Sequence, residues 1–159
     1  MKKVVSIVFL IIPFYFIGCD EGGGGPSETL DENLGTFLGE ISVADIPQTS
    51  FGYILNSGVN VSRNGDNFTI RALGDSGFSR EYSGIVSTDE ENTIVITVLS
   101  QTRPIEQTVM GNVVIQNGEL TLSLTVPNDT VEVIDKQEEN EIFEISGSLR
   151  IIGIDMMLQ

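Results

Sequence analysis

Ile105-Glu106-Gln107-Thr108-Val109-Met110-Gly111-Asn112-Val113-Val114-Ile115-Gln116-Asn117-Gly118-Glu119-Leu120-Thr121-Leu122-Ser123-Leu124-Thr125-Val126 reads as two β-strands and the turn that joins them. Leu120, Leu122, Leu124 and Val126 alternate with Thr121, Ser123 and Thr125. A period of two sends one set to a buried face and the other to water. Asn117-Gly118 supplies the positive φ angles that a type I′ hairpin turn needs, with a twist that matches the strands. The segment therefore predicts an antiparallel pair, 105–116 against 119–126.

The same alternation extends in both directions. Upstream, strands are predicted at 36–43, 51–55, 59–63, 67–73, 78–87 and 93–99. Asn56-Ser57-Gly58 splits the second from the third, and Asn64-Gly65 makes a tight turn before Asn67. Downstream, 130–134 is a short strand, Lys136 to Asn140 a solvated loop, and 141–157 a final long strand or pair, broken at Gly147 or Gly153. The best helical competitor is 131–145. Its β-branched start, and the alternation of Phe143 and Ile145 with Glu144, favour strand. The fold class is all-β, an antiparallel meander of eight to ten strands that closes into a barrel or stacks as a β-sandwich.

Length and composition set the outer limits. A chain of 159 residues makes one domain with a modest core. It carries 23 acidic residues against 8 basic ones, for a net charge of -15, with one cysteine, no histidine and no tryptophan. An intramolecular disulfide is impossible, and sites that need histidine or several cysteines are excluded. Such acidity argues against nucleic acid, whose phosphates demand a basic face.

The amino terminus reads as an address. Lys2 and Lys3 precede an apolar run from Val4 to Ile17, interrupted by Ser6 and Pro13. That run is too short to span a bilayer comfortably and has the layout of a secretory signal. Phe16-Ile17-Gly18-Cys19 resembles a bacterial lipobox, with Phe16 where leucine is usual. The resemblance implies cleavage before Cys19, lipidation of its sulfur and acylation of the new amine. The alternative is a plain signal peptide with an incidental cysteine. Lipidation consumes a lone thiol that otherwise needs an explanation in an exported protein, and several acyl chains anchor where one does not. Loss of Lys2 and Lys3 would deepen the negative charge by two. Residues 1–18 are then the lipoprotein signal peptide, 19–33 the lipidated cysteine with a glycine-rich tether, and 34–159 a single all-β domain. Asp20-Glu21 resembles the acidic surface-export tag of lipoproteins from Bacteroidota, the alternatives being inner-membrane retention or plain tether polarity. The expected location is the cell envelope, on the outer membrane.

From Gly35 onward the chain resembles the calycin-like lipoprotein domains of Bacteroidota. The resemblance rests on Gly35-Thr36-Phe37-Leu38-Gly39, on Val59-Asn60-Val61-Ser62-Arg63-Asn64-Gly65-Asp66, on Gly111 to Leu122, and on Phe143-Glu144-Ile145-Ser146-Gly147-Ser148. It implies a calycin or lipocalin-like barrel. In lipocalins a Gly-x-Trp motif closes the barrel base under an arginine of the last strand. Gly35-Thr36-Phe37 has phenylalanine in that slot, so the resemblance implies a reduced closing pair, Phe37 under Arg150. The alternative makes Phe37 ordinary core and Arg150 a surface charge. The lipocalin C-terminal helix has no counterpart here.

Signs of chemistry are sparse. Without histidine, acid–base work would fall to carboxylates such as Asp66, Asp75, Asp89, Glu90 and Glu91, all in predicted turns, where solvated punctuation is the usual role. Neither 64–67 nor 89–92 has the spacing of an EF-hand calcium loop. Asp129-Thr130-Val131 resembles the Bacteroidota O-glycosylation sequon. No catalytic residue, metal site or cofactor is assigned, and an enzyme is not expected. Two functions remain. One is binding of a small apolar ligand inside the barrel; the other is a structural or protein-interaction role with a filled core. Anchorage to a membrane through Cys19 is common to both.

Overall fold

The computed structural model describes residues 32–47, 51–135, 137–138 and 140–159. The signal peptide, the lipobox residues Phe16, Ile17 and Gly18, the lipidation candidate Cys19 and the tether up to residue 31 lie outside the described residues. Eight antiparallel strands follow one another: β1 (Glu32–Asp45), β2 (Phe51–Asn64), β3 (Asn67–Leu73), β4 (Ser79–Glu90), β5 (Thr93–Arg103), β6 (Gln107–Gln116), β7 (Glu119–Asp135) and β8 (Glu141–Leu158). Each pairs with the next and β8 returns to β1, so the sheet closes into an eight-stranded antiparallel barrel rather than a sandwich. Closure leaves the barrel wall without free edges. A single 3-10 turn, Asp75–Gly77, interrupts the meander between β3 and β4.

Local chemistry explains the hairpins. Asn117 and Gly118 both hold positive φ, 51° and 82°, as the type I′ turn requires. In the β2–β3 hairpin Asn64 pairs with Asn67, so the two turn residues are Gly65 and Asp66. The expected Asn64-Gly65 turn is therefore one residue out of place, because Gly65, at φ 60°, takes the first central position.

Three expected breaks are not breaks. β2 runs straight through Asn56-Ser57-Gly58, where Asn56 takes φ 48° beside a register shift against β1. A bulge absorbs the extra residue and the strand goes on. β7 likewise joins 119–126 to 130–134 across a register shift between Val126 and Asp129. β8 passes through both Gly147 and Gly153. Ten expected strands are thus eight longer ones. The first also begins at Glu32, two residues inside the stretch read as tether.

The bulge in β7 has an architectural consequence. Beyond it, the β7–β8 ribbon curls over one end of the barrel until Ile134 pairs with Tyr53 of β2. Val131, Val133 and Ile145 of the ribbon join the core there. The close approach needs Gly52, since a Cβ at that position would run into Val133. The interior below is built from the inward set of every strand. Phe37, Phe68, Ile70, Tyr82, Ile96 and Leu122 are all essentially inaccessible to water.

Candidate functional site

Outward and inward residues alternate along β4 as Ser79, Arg80, Glu81 and Tyr82, with Arg80 and Tyr82 buried. An arginine in phase with the core set needs a partner, because an unpaired buried charge is very costly. Asp129, just past the β7 bulge, is that partner. Arg80 Nε and Nη2 each donate to one oxygen of the Asp129 carboxylate at 2.9 Å. Their side chains are 9% and 6% exposed. Arg80 Nη2 also donates to the Thr130 carbonyl at 2.8 Å, and the Thr130 amide donates to Asp129 Oδ1 at 2.8 Å. The Phe78 ring lies 5.2 Å from the guanidinium. This fork-to-fork arrangement saturates both charges.

The ion pair opens a polar end of the barrel interior. Tyr82 lies opposite Gln101 of β5, and Gln101 opposite Gln107 of β6. Gln101 is fully buried, and its Nε2 donates to the Ile105 carbonyl at 3.3 Å. Burial pushes the pKa of the Tyr82 hydroxyl well above its ordinary value; Arg80 works against that shift and Asp129 adds to it. The phenol therefore stays protonated and acts as a hydrogen-bonding group, not as a base.

Outside the same end, Arg71, Glu81 and Arg103 sit opposite one another on β3, β4 and β5. Arg71 Nε donates to Glu81 Oε2 at 2.7 Å, and Arg103 Nε lies 3.9 Å from Glu81 Oε1. Together with Ser79 and Leu73 they line an open hollow of about 350 Å³. The Arg71 hydrogen bond lowers the Glu81 pKa, against a smaller opposing effect of burial.

The opposite end gathers the acidic turns. Glu32, Asp89, Glu90 and Glu91 line an open hollow of about 740 Å³. Arg63 sits among them, with Nη2 at 2.8 Å from Asp89 and its guanidinium 5.5 Å from the Phe68 ring. The two turns weighed as calcium loops, 64–67 and 89–92, do meet at this end. Arg63 links them, donating from Nε to the Gly65 carbonyl at 2.7 Å while its Nη2 meets Asp89. Among the described residues no group of three or more histidine, cysteine, aspartate or glutamate residues could hold a metal ion.

The closing pair implied by the lipocalin resemblance is not formed. Phe37 is buried and pairs with Leu158, whereas Arg150 is exposed and pairs with Ala44. The two lie at opposite ends of the β1–β8 ladder, so Phe37 is core and Arg150 a surface charge. In the glycosylation-like tripeptide, Thr130 is exposed, but Asp129 is the buried partner of Arg80, inside a strand and not in a loop. The sequence reading missed the Arg80–Asp129 pair. The signal for it was the phase of Arg80 with Tyr82. Comparison with protein-family models, with curated proteins and with solved structures gives no match in any of the three.

Proposed function

We propose that this chain is a lipid-anchored protein of the bacterial cell envelope whose barrel is an interaction module. Its core is filled and it carries no apolar ligand. One observation supports this choice between the two candidate functions: the inward side chains of the barrel, Phe37, Phe68, Tyr82 and Leu122 among them, are essentially inaccessible to water. Ligand pockets are usually hundreds of Å³ of largely preformed apolar space. The hollows at the two ends are instead open and lined by charged groups. The lipobox resemblance at Phe16-Ile17-Gly18-Cys19 supports the anchor, and the resemblance to Bacteroidota domains supports the outer membrane. No reaction is assigned to the charged clusters, in which Asp89 is held by Arg63 and Glu81 by Arg71.

The exposed apolar side chains of the outer wall offer contact points for a partner. Leu38 is 43% and Met157 52% exposed, and the two are opposite each other on β1 and β8. The test has two arms. Labelling with an alkynyl fatty acid should tag the wild type and leave Cys19→Ala untagged and released from the membrane fraction. In-cell photo-crosslinking from Leu38 or Met157 should give one discrete protein adduct, absent when the crosslinker replaces inward-facing Ile70. Bound lipid extracted from the purified protein, with no adduct from either outward position, would return the function to ligand binding.

A further inference from the structure

Among the described residues, three side-chain polar atoms are shielded from solvent and have no hydrogen-bond partner: Tyr82 Oη, Gln101 Oε1 and Gln107 Nε2. They belong to successive strands at paired positions, Tyr82 opposite Gln101 and Gln101 opposite Gln107. Buried polar groups are almost always satisfied, by protein or by a bound molecule. The adjacent Arg80–Asp129 pair obeys that rule completely.

The chemistry of the three atoms is complementary to one group. A tyrosine hydroxyl donates, an amide nitrogen donates and an amide oxygen accepts. A hydroxyl oxygen accepts two hydrogen bonds and donates one. It would accept from Tyr82 Oη and Gln107 Nε2 and donate to Gln101 Oε1, and all four groups would then be satisfied. We propose that the Tyr82–Gln101–Gln107 row binds a single hydroxyl group, supplied by a water molecule or by a small alcohol. Gln107 is the half-buried member, next to the Pro104–Glu106 connection between β5 and β6, so entry is from that end of the barrel. A site for one hydroxyl group is separate from the apolar cavity weighed above, and it stands whether or not the barrel docks a partner.

The sign of a stability change tests this. Removing a polar atom that has no partner leaves folding unchanged or improves it, whereas removing one that is bridged weakens it. Tyr82→Phe should lower the folding equilibrium constant roughly tenfold, Gln101→Met should lower it further because it also removes the bond to the Ile105 carbonyl, and the double variant should lose less than the product. In the wild type, the Gln107 side-chain amide should show an intermolecular NOE to water or, with ethanol added, to ethanol. Persistence of the water NOE identifies water as the hydroxyl, and its replacement by ethanol identifies a small alcohol; both support the site. Single variants at least as stable as the wild type would overturn it. So would coupling without any intermolecular NOE, which would mean that the side chains bond one another directly.

Discussion

Arg80 and Asp129 are buried beneath the barrel end as a hydrogen-bonded ion pair in which each satisfies the other. Substituting Asp129 by alanine would strand a guanidinium whose side chain is 9% exposed. Breaking such a pair from one side costs about 3–5 kcal/mol, and that is the expected loss for Asp129→Ala in urea denaturation. The double variant Arg80→Met/Asp129→Leu should recover most of it, because two apolar side chains leave no charge unpaired. A loss under about 1 kcal/mol for Asp129→Ala would contradict this account. Glu81 works at a lower stake. Its hydrogen bond from Arg71 lowers its folded-state pKa below the ordinary 4.5, with burial opposing. A carboxyl lowered on folding contributes stability above its unfolded pKa and loses it as pH falls through the folded value. Its partner Arg71 is 63% exposed, so Glu81→Gln should cost at most about 1 kcal/mol at pH 7. The difference from wild type should close as the pH falls well below the ordinary 4.5, and a difference that survived in acid would mean packing, not charge.

Strands register through a few backbone positions, and Gly111 on β6 is one. It lies opposite Leu124 of β7 with φ 145°, and a Cβ there would collide with the Ser123 carbonyl oxygen. Gly118, in the turn of the same hairpin, has φ 82° and open space around it. Gly111→Ala meets both backbone strain and a clash with main chain, and should cost about 3 kcal/mol or more. Gly118→Ala meets conformational strain alone and should cost about 1 kcal/mol. Thermal melts of the two variants read this order directly; equal losses would mean that the ladder yields around Gly111. The contrast also explains which elements were legible in the sequence. A hairpin joined by two residues is a local object, so the alternation of Leu120, Leu122 and Leu124 around Asn117-Gly118 was enough to place it. Asn56-Ser57-Gly58 and Pro127-Asn128 carry the same residue types as turns, yet each lies within a continuous strand. Turn chemistry permits a reversal, and neighbouring strands decide whether one takes place.

At the scale of the whole molecule, the long-range pairings were the least legible. Closure depends on β8 meeting β1, and the capped end depends on Ile134 meeting Tyr53. Neither contact leaves a mark in local periodicity. Arg80 and Asp129 are separated by 49 positions, and only the folded barrel brings them together. Phe37 and Arg150, by contrast, share the β1–β8 ladder and are kept apart by its register. The same closure leads to a prediction about the molecule as a container. Inward side chains of the strands form one buried cluster, which Val131, Val133 and Ile145 of the β7–β8 ribbon join at one end. At the other end, the entry hollow presents Glu32, Asp89, Glu90 and Glu91, which repel an anionic headgroup. On the interaction-module reading a fatty acid would have to displace buried core side chains and pass an acidic rim, and both oppose binding. The Cys19→Ala protein, purified without detergent, should give no saturable fluorescence change with a dansyl-labelled fatty acid at up to about 10 μM, a concentration at which a preformed barrel pocket would fill. A saturable one-to-one transition would mean that the core opens, and the interaction-module reading would then give way to ligand carriage.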